Sequence, residues 1–138
     1  MHVELKQRYT FSKDEKLKSR KAIEQLFVAG RSFSNFPFKV IWKFTENTAA
    51  GLQTGFTVSS KQFKKAVDRN RIKRLMREAY RLQKHDLQQQ LKSKNKSLTV
   101  FFIYVGNELP DYTFIFEKTG KAIKHLIRII NENNLADT

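Results

Sequence analysis

The chain has 138 residues with 27 Lys plus Arg against 13 Asp plus Glu, a formal net charge of +14, and its length suits one domain rather than two. Hydrophobic residues make up 40% and aromatics 12%, twelve of them Phe, so a genuine core can form and wholesale disorder is disfavoured. The absence of Cys excludes disulfides, a thiol nucleophile and Cys-based zinc sites, and fits a reducing compartment such as the cytoplasm.

Residues 1–18 are polar with scattered apolar side chains and read as a flexible basic arm. They lack the apolar stretch of a signal peptide, and the longest apolar run, Leu98 to Val105, is too short to span a bilayer, so no targeting or anchoring segment is expected. A first helix is predicted over 20–29: Ser19 suits the N-cap, Ile23, Leu26 and Phe27 recur at helical spacing, and Gly30 stands where a helix end tolerates positive φ. Residues 36–45 alternate, with Phe38, Val40, Trp42 and Phe44 on one face and Lys39, Ile41 and Lys43 on the other, as in a strand with one buried side. After the turn-forming stretch 45–51, residues 52–59 read as a second strand, so the two are expected to pair as an antiparallel hairpin.

Residues 66–91 contain neither Pro nor Gly and predict one long helix, with Ile72, Leu75, Met76, Ala79 and Leu82 as its apolar stripe. Residues 98–105 are β-branched and aromatic with both faces apolar, as in a central strand. A last helix is predicted over 114–131, packing through Ala122, Ile123, Leu126, Ile127 and Ile130. The order is α, β, β, α, β, α, an α+β sandwich of one small sheet with helices against it. The domain is placed at 19–133, with a frayed tail at 134–138.

The charge is not spread evenly. Residues 61–84 carry ten basic and two acidic side chains, which is +8 of the +14. At about 100° per residue from Arg69, Lys73 falls near 40°, Arg77 near 80°, Asn70 near 100° and Arg74 near 140°, opposite the apolar stripe. A solvated helix face usually mixes signs to gain i,i+4 pairs; this one stacks like charges at Arg69, Lys73, Arg77 and Arg81, which costs some tenths of a kcal/mol per pair. Such a face matches a phosphate backbone, and Arg, which can fork onto a phosphate or stack on a base, predominates in its middle.

The stretch 63–81, FKKAVDRNRIKRLMREAYR, resembles the signature of the bacterial ribonuclease P protein component: an Arg-Asn-Arg core followed by x-Lys-Arg-x-x-Arg-Glu, with Ala66-Val67 upstream. Residues 16–35 and 55–61 are similar to the family in the same order, so the resemblance covers roughly 16–130. It implies a two-layer α+β sandwich with a left-handed βαβ crossover, related to a ribosomal-protein domain. It also implies the non-catalytic protein subunit of an endoribonuclease that removes the 5′ leader from precursor tRNA, with hydrolysis performed by a catalytic RNA and its bound Mg²⁺.

By resemblance, Arg69, Asn70, Arg71, Lys73, Arg74 and Arg77 contact the catalytic RNA, while Phe27 and Lys61 belong to a leader cleft between the first helix and the sheet. Lys39, Ile41 and Lys43 are candidates to line that cleft. One position departs from the family: Ile23 stands where an aromatic is usual, which shifts the expected stacking toward Phe36 or Trp42. The implied partners are the ribonuclease P RNA and the precursor-tRNA leader, with no membrane and no DNA. The alternative is a ribosomal or RNA-chaperone protein on the same basic scaffold. No paired-carboxylate, P-loop or Cys/His-finger motif is present, and His2, His85 and His125 lack metal-ligand spacing, so no catalytic or metal residue is assigned to this chain.

Overall fold

A computed structural model of the protein describes residues 10–45 and 51–136, and side chains as far as residue 132. The elements are α1 (Arg20–Ala29), β1 (Arg31–Asn35), β2 (Phe38–Thr45), β3 (Leu52–Val58), α2 (Ala66–Gln83), α3 (His85–Ser93), β4 (Ser97–Tyr104) and α4 (Tyr112–Ala136). Ser19 caps α1 as its pattern predicts, its side chain accepting from the Ala22 amide at 3.2 Å. Asp111 does the same for α4, accepting from the Phe114 amide at 2.8 Å. Among the described residues, no helix is long and apolar enough to cross a membrane.

The sheet has the order β1-β2-β4-β3. The expected hairpin between β2 and β3 does not form. β2 instead pairs antiparallel with β1 on one side and with β4 on the other, and β3 runs parallel to β4. The reason lies in β4, every residue of which is buried except the half-buried Ile103. A strand apolar on both faces is most stable inside the sheet, so it inserts between β2 and β3 rather than lying at an edge. The parallel β3–β4 pair is bridged by α2 and α3, giving a βαβ unit. The short β1 went unpredicted because its sequence, RSFSN, offers a single large apolar side chain, Phe33, which packs against the main core and stacks on His125 at 3.8 Å.

The two faces of the sheet differ. Phe38, Val40, Trp42, Val100, Phe102 and Tyr104 face α2, α3 and α4 and form the main core with Ile72, Met76, Leu87 and Leu126. The other face holds a smaller cluster, Leu17, Leu26, Ile41 and Phe101, beneath α1. The predicted long helix is divided at Lys84, which stays right-handed (φ −73°, ψ −13°) between α2 and α3. No Gly or Pro marks that break; it coincides with burial of the Lys84 side chain, which is 2% exposed.

Three smaller expectations are corrected. Gly30 ends α1 at φ −75°, so positive φ is not its role; a Cβ there would stand 2.4 Å from the Leu26 carbonyl oxygen, and only Gly allows the chain to turn so tightly into β1. Residues 10–18, expected to be loosely ordered, contain a 3-10 turn at Lys13–Glu15 and pack Phe11 and Leu17 onto the body. The Leu17 amide donates to the Thr54 carbonyl at 3.0 Å, adding a short parallel bridge to the β3 edge. Residues 1–9 of the expected arm lie outside the described residues. At the other end α4 extends to Ala136, past the predicted end at 131 and into the stretch expected to fray.

Candidate nucleic-acid interface

The outward face of α2 carries the cationic side chains, and the structure rotates it slightly from the projected arc. Ile72, Met76, Ala79 and Tyr80 are buried, whereas Leu82 of the predicted stripe is 37% exposed. Tyr80 can enter the core because its hydroxyl meets the Thr54 hydroxyl at 2.7 Å, which satisfies both groups. Burial pushes the Tyr80 phenol pKa upward, against the opposing hydrogen bond from Thr54. In consequence Asn70, Arg71, Arg74 and Arg77 are exposed, while Arg69 and Lys73 are half-buried at the margin.

Arg69 has internal work. Its Nη1 donates to the carbonyls of Phe63 at 2.7 Å and Lys64 at 2.8 Å, closing the loop that leads into α2. That loop presents Lys61, Lys64 and Lys65, all exposed. The Arg81 guanidinium pairs with Glu78 at 2.6 Å and so adds less free positive charge than the helical projection implies. The hydrogen bond from Arg81 lowers the Glu78 pKa, outweighing a small opposing effect of burial.

A second basic surface lies at the β3 edge. An open groove there is lined by Arg77 of α2, by Phe11, Lys16 and Lys18 of the N-terminal segment, and by Ile23 of α1 and Phe101 of β4. Phe27 is half exposed, with its ring edge-on to Phe101 at 5.5 Å between centroids. The core residue of α1 is therefore its neighbour Leu26, and Phe27 keeps a free aromatic surface above the sheet. Gly55 forms part of the groove floor; a Cβ there would meet the Phe101 ring at 2.5 Å. Arg77 thus lies at the meeting point of the α2 face and the groove.

The other cleft candidates divide. Lys39 is exposed and Lys43 half-buried, on either side of Ile41, which is 7% exposed in the cluster beneath α1, and the groove is lined by other residues. Trp42 belongs to the main core at 9% exposure, on the face opposite α1, and cannot replace the missing aromatic at Ile23. Phe36 is exposed but sits beside Tyr104, Leu109 and Phe114, away from the groove.

What sequence reasoning missed is the contribution of residues 10–18. Lys84 is buried and donates from Nζ to the Thr10 carbonyl and to Glu15 Oε1. Gln88 donates to the same Glu15 oxygen at 3.2 Å, and Glu15 accepts from the Ser12 amide at 3.1 Å. Burial alone would raise the Glu15 pKa, but the bonds from Lys84 and from the Ser12 amide and hydroxyl together hold it below the usual carboxylate value. The Phe11 ring meets Phe56 and Tyr80 edge-on, and Lys84 Nζ lies 5.8 Å from its centroid. A capping-box signature, Ser12 with Glu15 three residues on, was legible; its anchoring to a lysine 69 positions away was not. Among the described residues, no three His, Asp or Glu side chains gather where they would hold a metal ion.

A single-layer sheet between helices, with an Arg-rich helix face around Asn70 turned outward and a basic groove beside it, gives an α+β domain whose surface suits a polyanion such as RNA. The family model described as ribonuclease P matches residues 11–130, and the chain belongs to that family. Among its relatives, the ribonuclease P protein component of Porphyromonas gingivalis is 38% identical over 122 residues, covering 88% of this chain and 87% of that one. The ribonuclease P protein component of Bacillus pumilus is 34% identical over 116 residues, covering 84% and 87%. The fold is similar to the solved RNase P protein of Staphylococcus aureus (TM-score 0.60, 22% identity, 83% of this chain and 94% of that one). It is similar also to that of Thermotoga maritima (TM-score 0.59, 24% identity, 80% and 96%). The chain is a protein subunit of ribonuclease P, which matures the 5′ end of tRNA and contains an RNA partner.

Proposed function

We propose that the outward face of α2 docks on the catalytic RNA of ribonuclease P, and that the groove at the β3 edge receives the single-stranded 5′ leader of precursor tRNA. Asn70, Arg71, Arg74 and Arg77 make the direct phosphate and base contacts, with Lys73 at the margin. Arg69 contributes mainly by fixing the loop that carries Lys61, Lys64 and Lys65. Phe27 offers a stacking surface for a leader base, while Lys39 and Lys43, on either side of Ile41, add positive charge further along the sheet. The catalytic RNA with its Mg²⁺ performs the hydrolysis, and the protein neutralises phosphates and extends substrate contact, in the cytoplasm. On this reading the single RNA-binding domain expected at 19–133 takes in the fastened residues 10–18 as well, and the chain itself holds no catalytic side chain.

The observation that carries the reading is the run of exposed Arg and Asn side chains on α2 that meets the groove at Arg77. Because Arg71 and Arg74 are exposed, the double variant Arg71→Glu/Arg74→Glu keeps its fold. Its dissociation constant for the catalytic RNA should rise by two orders of magnitude or more, roughly the cost of turning two charge-assisted contacts into repulsions. A folded double variant that binds the RNA as tightly as the parent overturns the assignment.

A further inference from the structure

The groove has a wall that belongs to neither the α2 face nor α1. Residues 10–18 run as a strap along the β3 edge, and every few residues something fastens them. The Thr10 carbonyl and the Glu15 carboxylate accept from Lys84. Phe11 is set among Phe56 and Tyr80, and the Leu17 amide donates to Thr54. Leu17 is 6% exposed under α1, so the strap spans from the end of α2 to the first helix. Lys16, beside Glu15, and Lys18, just past Leu17, are the two cations it contributes to the groove, which Arg77 also lines.

A lysine buried to 2% exposure is costly unless its charge is met, and leaving its partner out strands a charge in the interior. An apolar side chain at position 84 would fill the same place between α2 and α3 with no such requirement. The burial is explained if Lys84 selects one path for the strap rather than adding to stability.

We propose that Lys84 is a positioning residue for leader contact: by clamping Thr10 and Glu15 it holds Lys16 and Lys18 at the groove, where they bind leader phosphates. The proposal rests on the leader reading above and goes beyond it by tying the groove to the α2–α3 junction. Lys84 itself is too deeply buried to touch RNA, so any effect it has on RNA binding passes through the strap.

The test uses the assembled ribonucleoprotein and two precursor tRNAs, one with a long leader and one with a single-nucleotide leader. Lys84→Met is compared with the parent and with Lys16→Gln/Lys18→Gln. Lys84→Met should weaken binding of the long-leader substrate on the order of tenfold and lower the slope of log K against log salt by about 1.4, as for two single-strand phosphate contacts. Single-nucleotide substrate, cleavage rate at saturation and affinity for the catalytic RNA should stay at parental values. Adding Lys84→Met to Lys16→Gln/Lys18→Gln should cause no further loss, because the two act through the same contacts.

Parental leader affinity in Lys84→Met, or a full additional loss in the triple variant, overturns the proposal. If Lys84→Met does not fold, Glu15→Gln, which keeps the shape and loses the charge, should give a smaller loss confined to the long-leader substrate. Equal affinity of Glu15→Gln and parent for that substrate would again overturn it. A parent protein that does not distinguish the two leaders would remove the leader reading itself, a result separable from failure of the clamp alone.

Discussion

Arg69 shows how one residue can carry two explanations. Its place in the Arg-Asn-Arg run marks it for RNA, yet its guanidinium closes a loop through two backbone carbonyls at 2.7 and 2.8 Å. The exposed Arg71, two positions on, faces solvent. Arg69→Met should therefore lower folding stability by about 1 to 3 kcal/mol, the range for hydrogen bonds from a charged donor, as read by urea unfolding followed through the buried Trp42. Arg71→Met should leave the unfolding midpoint within experimental scatter and lower only RNA affinity. Equal midpoints for the two variants would show that the carbonyl contacts add nothing. No spacing rule separates these two arginines in the sequence, because which of them turns inward depends on how the loop at 59–65 enters α2.

At the scale of elements, α1, the alternation of β2, the central character of β4 and the cationic face of α2 were all legible, since each rests on local periodicity or a local cap. The failures were in pairing and in partners far along the chain. β2 and β3 follow each other across a turn-forming stretch, so a hairpin is the local expectation; only the demand of β4 for neighbours on both sides separates them. The strap was hidden for a similar reason, its polar sequence acquiring order from Lys84 and Thr54. Titration offers a check on that element. The folded pKa of Glu15 lies below its ordinary value of 4.5, so its stabilising effect is complete above that pH and is lost as pH falls through the folded value. On acidification, exchange protection of the Leu17 amide should fall before the Trp42 fluorescence changes, and Glu15→Gln should abolish that early step. Simultaneous loss of both signals in the parent would mean that the strap has no separate stability.

For the whole molecule, the charge of +14 acts in opposite senses on folding and on assembly. Self-repulsion among like charges destabilises the free protein, so added salt should raise its thermal midpoint through screening. The same salt should weaken binding to the catalytic RNA, with log K falling linearly in log salt by about 0.7 to 0.9 per phosphate contact. Measuring both in one salt series distinguishes a surface built for a polyanion from a merely basic protein. Affinity that holds steady across the series would rule out the α2 face as the main contact.

The place of β4 in the sheet also bears on how the chain is made. Its neighbours β2 and β3 end at Thr45 and Val58, but the strand that joins them begins at Ser97. During vectorial synthesis the β1–β2 hairpin can close early, whereas β3 (ending at Val58) precedes its partner strand by about forty residues and the amphipathic α2 (ending at Gln83) by about fourteen. The cationic helix is thus finished before the strand that completes its core, and until then an RNA can bind it first.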